Sequence, residues 1–117
     1  MTSTQEYEGW TNRETWLANL HLSNERDLYD KALRTAATGI DRDWAMRHVG
    51  EMLVGDIKHE MQRLLGRGQT AMYFDFCPED SDPVIPSINR VELAQHWVAE
   101  VVDHREHGEI IKPRQMS

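Results

Sequence analysis

The sequence predicts a mainly α protein: a single compact bundle of about four helices, with an irregular segment around residues 70–86. Three observations predict it. Apolar residues recur at helical spacing through several long stretches. Ser, Thr, Asn or Asp stands ahead of each stretch, twice with Glu three residues on. The 117 residues suffice for one core and are too few for two.

The first helix is expected from about Asn12 to Leu22, with Trp16, Leu17 and Leu20 on one face. Thr11 with Glu14 three residues later has the capping-box pattern, in which hydroxyl and carboxylate each satisfy a backbone N–H at the helix start. A second helix, about Glu25 to Thr38 with Ser23 or Asn24 as cap, carries Leu28, Tyr29, Ala32, Leu33 and Ala36 as its stripe and stops at Gly39. The third and longest runs from a cap at Asp41 to Leu65, with Ala45, Val49, Met52, Leu53, Ile57, Met61, Leu64 and Leu65 along one face. Gly50 and Gly55 inside it mark either a bend or a close helix crossing, each at roughly 1 kcal/mol relative to Ala.

TAMYFDF, Thr70 to Phe76, reads either as a short extended piece or as one helical turn, and a strand without a partner makes no sheet. Three prolines in Cys77–Pro86 forbid a continuing helix. The last helix starts near Asn89, with Glu92 repeating the capping logic, and ends around His104. Its expected stripe is Val91, Ala94, Val98, Val101 and Val102, with Trp97 beside it. Residues 1–8 read as a loose arm, 9–106 as the domain and 107–117 as a fraying tail.

Composition narrows the functional classes. Twenty acidic against 13 basic residues give a formal charge of −7, the wrong sign for general attraction to phosphates, so direct nucleic-acid binding is not expected. A basic partner surface would suit it. Cys77 is the lone cysteine, which excludes an internal disulfide and a Cys-based metal site and fits a reducing cytoplasm. MTSTQEYEG lacks the features of a signal peptide, and no apolar run approaches the roughly 20 residues that cross a bilayer. The expectation is a cytoplasmic protein without membrane contact.

Catalytic motifs are not visible. Cys77 precedes a proline in an acidic stretch that disfavours the thiolate, and no phosphate loop, nucleophile elbow or metalloprotease pattern occurs. Glu92 and His96 lie four apart on one helix face, where Glu14 could complete a metal or ligand site with Trp16 lining it; a Glu–His bond supporting packing is the plainer reading. No cofactor and no metal are expected. Trp10 and Trp16 read first as anchors of the first helix, with a binding role for Trp10 left open. The stretch from Asp75 to Asp82 sets four carboxylates, Asp75, Glu79, Asp80 and Asp82, beside Tyr73 and Phe74. Charge and rings together could engage a basic groove, or form a solvated turn over core aromatics.

GWTNRETW, Gly9 to Trp16, resembles the signature of an uncharacterised family of small bacteriophage and plasmid proteins that carry GWTN, a variable residue, then ETW. INRVELAQHW, Ile88 to Trp97, is similar to that family's C-terminal pattern: Asn89, Glu92, Leu93, Ala94 and His96 fit, while the usual Trp after Asn is Arg90 here and a Trp stands at 97. The two motifs span about a quarter of the chain. Trp10, Thr11, Asn12, Glu14, Trp16, Asn89, Glu92 and His96 are its signature residues. The resemblance implies a setting: small mobile-element proteins without catalytic motifs often occupy surfaces of host machinery. It points to an inhibitor of a host nucleic-acid-handling or defence complex, anti-CRISPR-like or otherwise anti-defence, whose partner is a host protein or ribonucleoprotein. A metal- or ligand-dependent enzyme centred on Glu14, Glu92 and His96, or a phage accessory or assembly protein, are the alternatives.

Overall fold

The structure, a computed structural model, describes residues 9–68, 71–77 and 85–108; of Phe74 it describes the backbone only. The expected arm at 1–8 and most of the expected tail therefore lie outside the described residues. Five helices follow in order: α1 Arg13–Asn24, α2 Arg26–Asp41, α3 Met46–Leu65, α4 Ala71–Phe76 and α5 Arg90–Glu106, with a 3-10 turn at Ile85–Ser87. No strand occurs among the described residues, and the described part of TAMYFDF, Ala71–Phe76, is helical. Met72 and Phe76, four apart, are both buried, which is the helical spacing that docks one short face.

The boundaries moved for physical reasons. Ser23 and Asn24, expected to cap the second helix, belong to the end of α1, and a single extended residue, Glu25, turns the chain into α2. Gly39 does not stop α2, which continues to Asp41. Its missing side chain is used sideways instead: a Cβ there would lie 2.5 Å from Val49 Cγ2 and 3.4 Å from Trp44 Cε3. Asp41 is no cap for α3. Asp43 takes the left-handed conformation (φ 57°) that turns the backbone, and α3 begins only at Met46, with Ala45 before it.

The core is one cluster drawn from all five helices. Leu17, Ala18 and Leu22 come from α1, Leu28, Ala32, Leu33, Ala36 and Ala37 from α2, and Val49, Leu53, Val54, Ile57 and Met61 from α3. α5 adds Leu93, Ala94, Trp97 and Val101. Two expectations for α5 are corrected here: Val91 and Val102 are 40% and 43% exposed, and Trp97 is the centre of the buried face. Trp97 meets Tyr29 edge-on at 5.5 Å, the geometry its ring quadrupole prefers. At the two ends of α3, Ala45 just before it and Leu65 at its last position are exposed rather than buried.

Of the described glycines, Gly50 has the closest neighbour. A Cβ there would fall on the carbonyl of Arg90, the first residue of α5. Of the two readings open for Gly50, the close crossing is the one found. Gly55 has open space around its Cα.

Candidate functional site

The two motif stretches meet. Asn12, in extended conformation, caps α1: its Oδ1 accepts from Thr15 N at 2.9 Å and from the Thr15 hydroxyl at 2.6 Å. Asn89 caps α5 in the same way, its Oδ1 accepting from Glu92 N at 3.0 Å. Each cap also reaches the other segment. Asn12 Nδ2 donates to Ser87 O at 2.8 Å, and Asn89 N donates to the Thr15 hydroxyl at 2.8 Å. The Glu92 carboxylate closes the circuit by accepting from Thr11 N, 2.9 Å to Oε1 and 3.2 Å to Oε2. Trp10 then lies over His96, ring centroids 5.2 Å apart, and His96 stands edge-on to Trp97 at 5.6 Å.

This bracket corrects the capping expectation by one residue. Thr11 is not the cap and Glu14 does not reach back; Asn12 caps, and Thr15 occupies the third helical position. Thr15 was missed although Asn-x-x-Thr is itself a capping spacing. It is fully buried and has a hydrogen bond on each side, so its hydroxyl joins the two helix starts. Glu92 and His96 do come together with Trp10, as parts of this fastening. Trp10 and Trp16 are both half-buried against the core.

Arg90, where the resembled family has Trp, takes a structural part. It is 16% exposed, donates through Nε to Glu51 at 3.0 Å, and through Nη1 to the carbonyls of Ile85 at 2.9 Å and Ile88 at 2.8 Å. The guanidinium thus ties together a carbonyl of the 3-10 turn and that of Ile88 just after it, and holds Glu51 below the usual carboxylate range, with Arg47 and Lys58 adding to the effect.

The acidic segment is described at its start. Asp75 Oδ2 is 2.8 Å from His21 Nε2 on α1, and the His21 ring packs 5.5 Å from Phe76. Tyr73 is half-buried. The segment therefore starts on a docked helix. Glu79, Asp80 and Asp82 lie outside the described residues.

A second polar constellation lies between α2 and α3. Asp56 and Glu60, one turn apart, are each only 4% exposed. Thr35 Oγ1 donates to Asp56 Oδ2 at 2.8 Å, and Arg63 makes a two-pronged bond to Glu60. That bond holds the Glu60 carboxyl below its ordinary range although burial pushes the other way, and raises Arg63 in turn. Above them, Asp27, Asp30, Lys31 and Arg34 line an open groove of about 390 Å³. Among the described residues, no group of three His, Cys, Asp or Glu is placed to hold a metal. No described helix is long and apolar enough to cross a membrane.

The sequence model of a family of unknown function, DUF7249, matches residues 3–84. The chain belongs to DUF7249. The DUF7249 match contains the first half of the bracket, Trp10 to Thr15, and the acidic stretch from Asp75 to Asp82. Asn89, Glu92 and His96 fall beyond it. No curated protein matches this DUF7249 member, and no solved structure does.

Proposed function

We propose that this protein is a mobile-element accessory protein that binds a host nucleic-acid-handling or defence complex and inhibits it by occlusion, as an anti-CRISPR-like or other anti-defence inhibitor. What supports the reading is how the acidic segment is mounted. Residues 78–84 carry Glu79, Asp80 and Asp82 and no cation. The chain enters them from Cys77, next to buried Phe76 and the Asp75–His21 contact. It returns at Ile85, whose carbonyl Arg90 grips, three residues before buried Ile88. Both ends are positioned before any partner arrives, which lowers the ordering cost of binding a basic groove. Glu92 and His96 are committed to the bracket, which favours binding over an enzyme centred on Glu14, Glu92 and His96.

The test is capture from host lysate with the protein and with a Glu79→Lys, Asp80→Lys, Asp82→Lys variant. Asp75 is left intact because it also holds α4. A host nucleic-acid-handling complex should be enriched by the native chain, released by added salt, and lost with the variant at unchanged melting temperature. Equal recovery by the two proteins, or no such complex with either, would end the proposal.

A further inference from the structure

α5 has a face that the bundle leaves uncovered. Val91, Gln95, Val98 and Val102 follow one another at intervals of four, three and four, the seam spacing of two packed helices. Val91, Gln95 and Val102 are exposed and Val98 half-buried; Ala99, exposed beside them, extends the strip. None of the five is charged, over about 16 Å of helix.

The two ends of this strip differ in charge. Beside Val91 is a depression of about 420 Å³ lined by Arg47, Glu51, Pro86, Ile88, Asn89 and Arg90. Glu92, the other carboxylate at this end, accepts from Thr11 N. At the Val102 end, Asp103 and Glu106 are exposed and Glu100 lies 3.8 Å from His104. The arginine there, Arg105, is paired with Asp41 at 3.1 Å. At the start of α5 the exposed Arg47 thus stands beside carboxylates already bonded to Arg90 and to Thr11 N, whereas carboxylates outnumber arginine on α5 at its end.

We propose that a second copy of this chain covers this face, the two α5 helices running antiparallel about a two-fold axis. Val91 of each copy then meets Val102 of the other, Gln95 meets Val98, and Arg47 faces the other copy's Glu106. Parallel pairing would set the two acidic ends together. The antiparallel pair instead sets the Arg47 end against the acidic end twice and closes on itself, as an isologous contact must. One helix pair is at the small end of specific interfaces, so a dissociation constant of ~10–100 µM is expected.

Sedimentation equilibrium from ~10 µM to ~1 mM, spanning that range, reads the result. The native chain should pass from monomer to dimer and no further. Val102→Glu should weaken dimerisation at least ~10-fold at unchanged melting temperature, Arg47→Glu and Glu106→Arg should each weaken it, and the two charge changes combined should restore it. A monomer throughout, a dimer indifferent to Val102→Glu, an assembly that grows beyond two, or no recovery in the double variant would each overturn the proposal. So would dimerisation appearing only once residues 109–117 are removed, since the chain's own end would then be the cover.

Discussion

Replacing Gly50 and Gly55 by Ala, five residues apart in one helix, should shift stability in opposite directions. At Gly50 the new Cβ would lie 2.5 Å from the Arg90 carbonyl carbon and closer still to its oxygen. The obstacle is backbone, so no rotamer change relieves it. It is also the first turn of α5, held by the Asn89 cap and by Arg90's own bonds. Overpacking of this kind costs ~1–3 kcal/mol, and shifting α5 strains the Asn89–Thr15 bond, worth ~1 kcal/mol more. Ala returns ~1 kcal/mol through helix propensity. The net loss is ~1–3 kcal/mol, or ~5–15 °C in melting temperature for a domain of this size. At Gly55 nothing lies within 4 Å of the added atom, so only the propensity gain remains: ~0.5–1 kcal/mol, or ~3–5 °C upward. Far-UV circular dichroism melts, with urea titrations to check that the slope is unchanged, measure both. A Gly50→Ala protein as stable as the native chain, or a Gly55→Ala protein less stable, would refute the close-crossing argument.

Two further perturbations test the polar contacts. Thr15→Val keeps the shape but strands Asn89 N and one lone pair of Asn12, and should cost ~1–3 kcal/mol, whereas Thr15→Ser should stay within ~1 kcal/mol of native; equal urea midpoints for the two would dismiss the bracket. Glu60 titrates below its ordinary range because Arg63 bonds it, so its stabilisation is present above the unfolded glutamate pKa and fades as pH falls through the lower folded value. Glu60→Gln should therefore flatten that part of the acid limb. Arg63→Ala should destabilise at neutral pH, because it takes the two-pronged partner from the buried Glu60 carboxylate, and should move the acid limb to higher pH. An acid limb identical in all three proteins would remove Glu60 from the account.

How much of this was legible beforehand follows from what each signal depends on. The α2 stripe of Leu28, Ala32, Leu33 and Ala36 was readable because burial on one side of a regular helix leaves a period. Gly39 was misread because a glycine that ends a helix and one that lets a neighbour approach look alike in a sequence; only Val49 opposite it decides. The sequence places Val91 and Val102 inside because apolar residues lie on both sides of α5, and which side faces α3 depends on the Gly50–Arg90 crossing. The bracket was half visible. Caps announce themselves locally, but that Asn12 would bond Ser87, or Thr15 would accept from Asn89, depends on segments 74 or 75 residues apart. Arg90 was named as a departure, and its bonds to the Ile85 and Ile88 carbonyls could not be inferred from a substitution alone.

The bracket and the acidic segment share a helix, and this bears on why both belong to one small chain. α1 carries Asn12 and Thr15 at its start and His21 near its end. The first two hold Ser87 and Asn89, just after the acidic segment returns; the third holds Asp75, just before it departs. Asn12 and His21 are nine residues apart, about 13 Å along the axis. Both attachment points are therefore set by one rigid rod rather than by separate elements free to shift against each other. Trp10 and Trp16, half-buried at the start of that rod, stiffen the frame on which the carboxylates are carried. In the binding proposal the first motif serves indirectly: Asn12 and Thr15 fix where the acidic segment returns, as His21 fixes where it departs, and the contact itself is assigned to Glu79, Asp80 and Asp82.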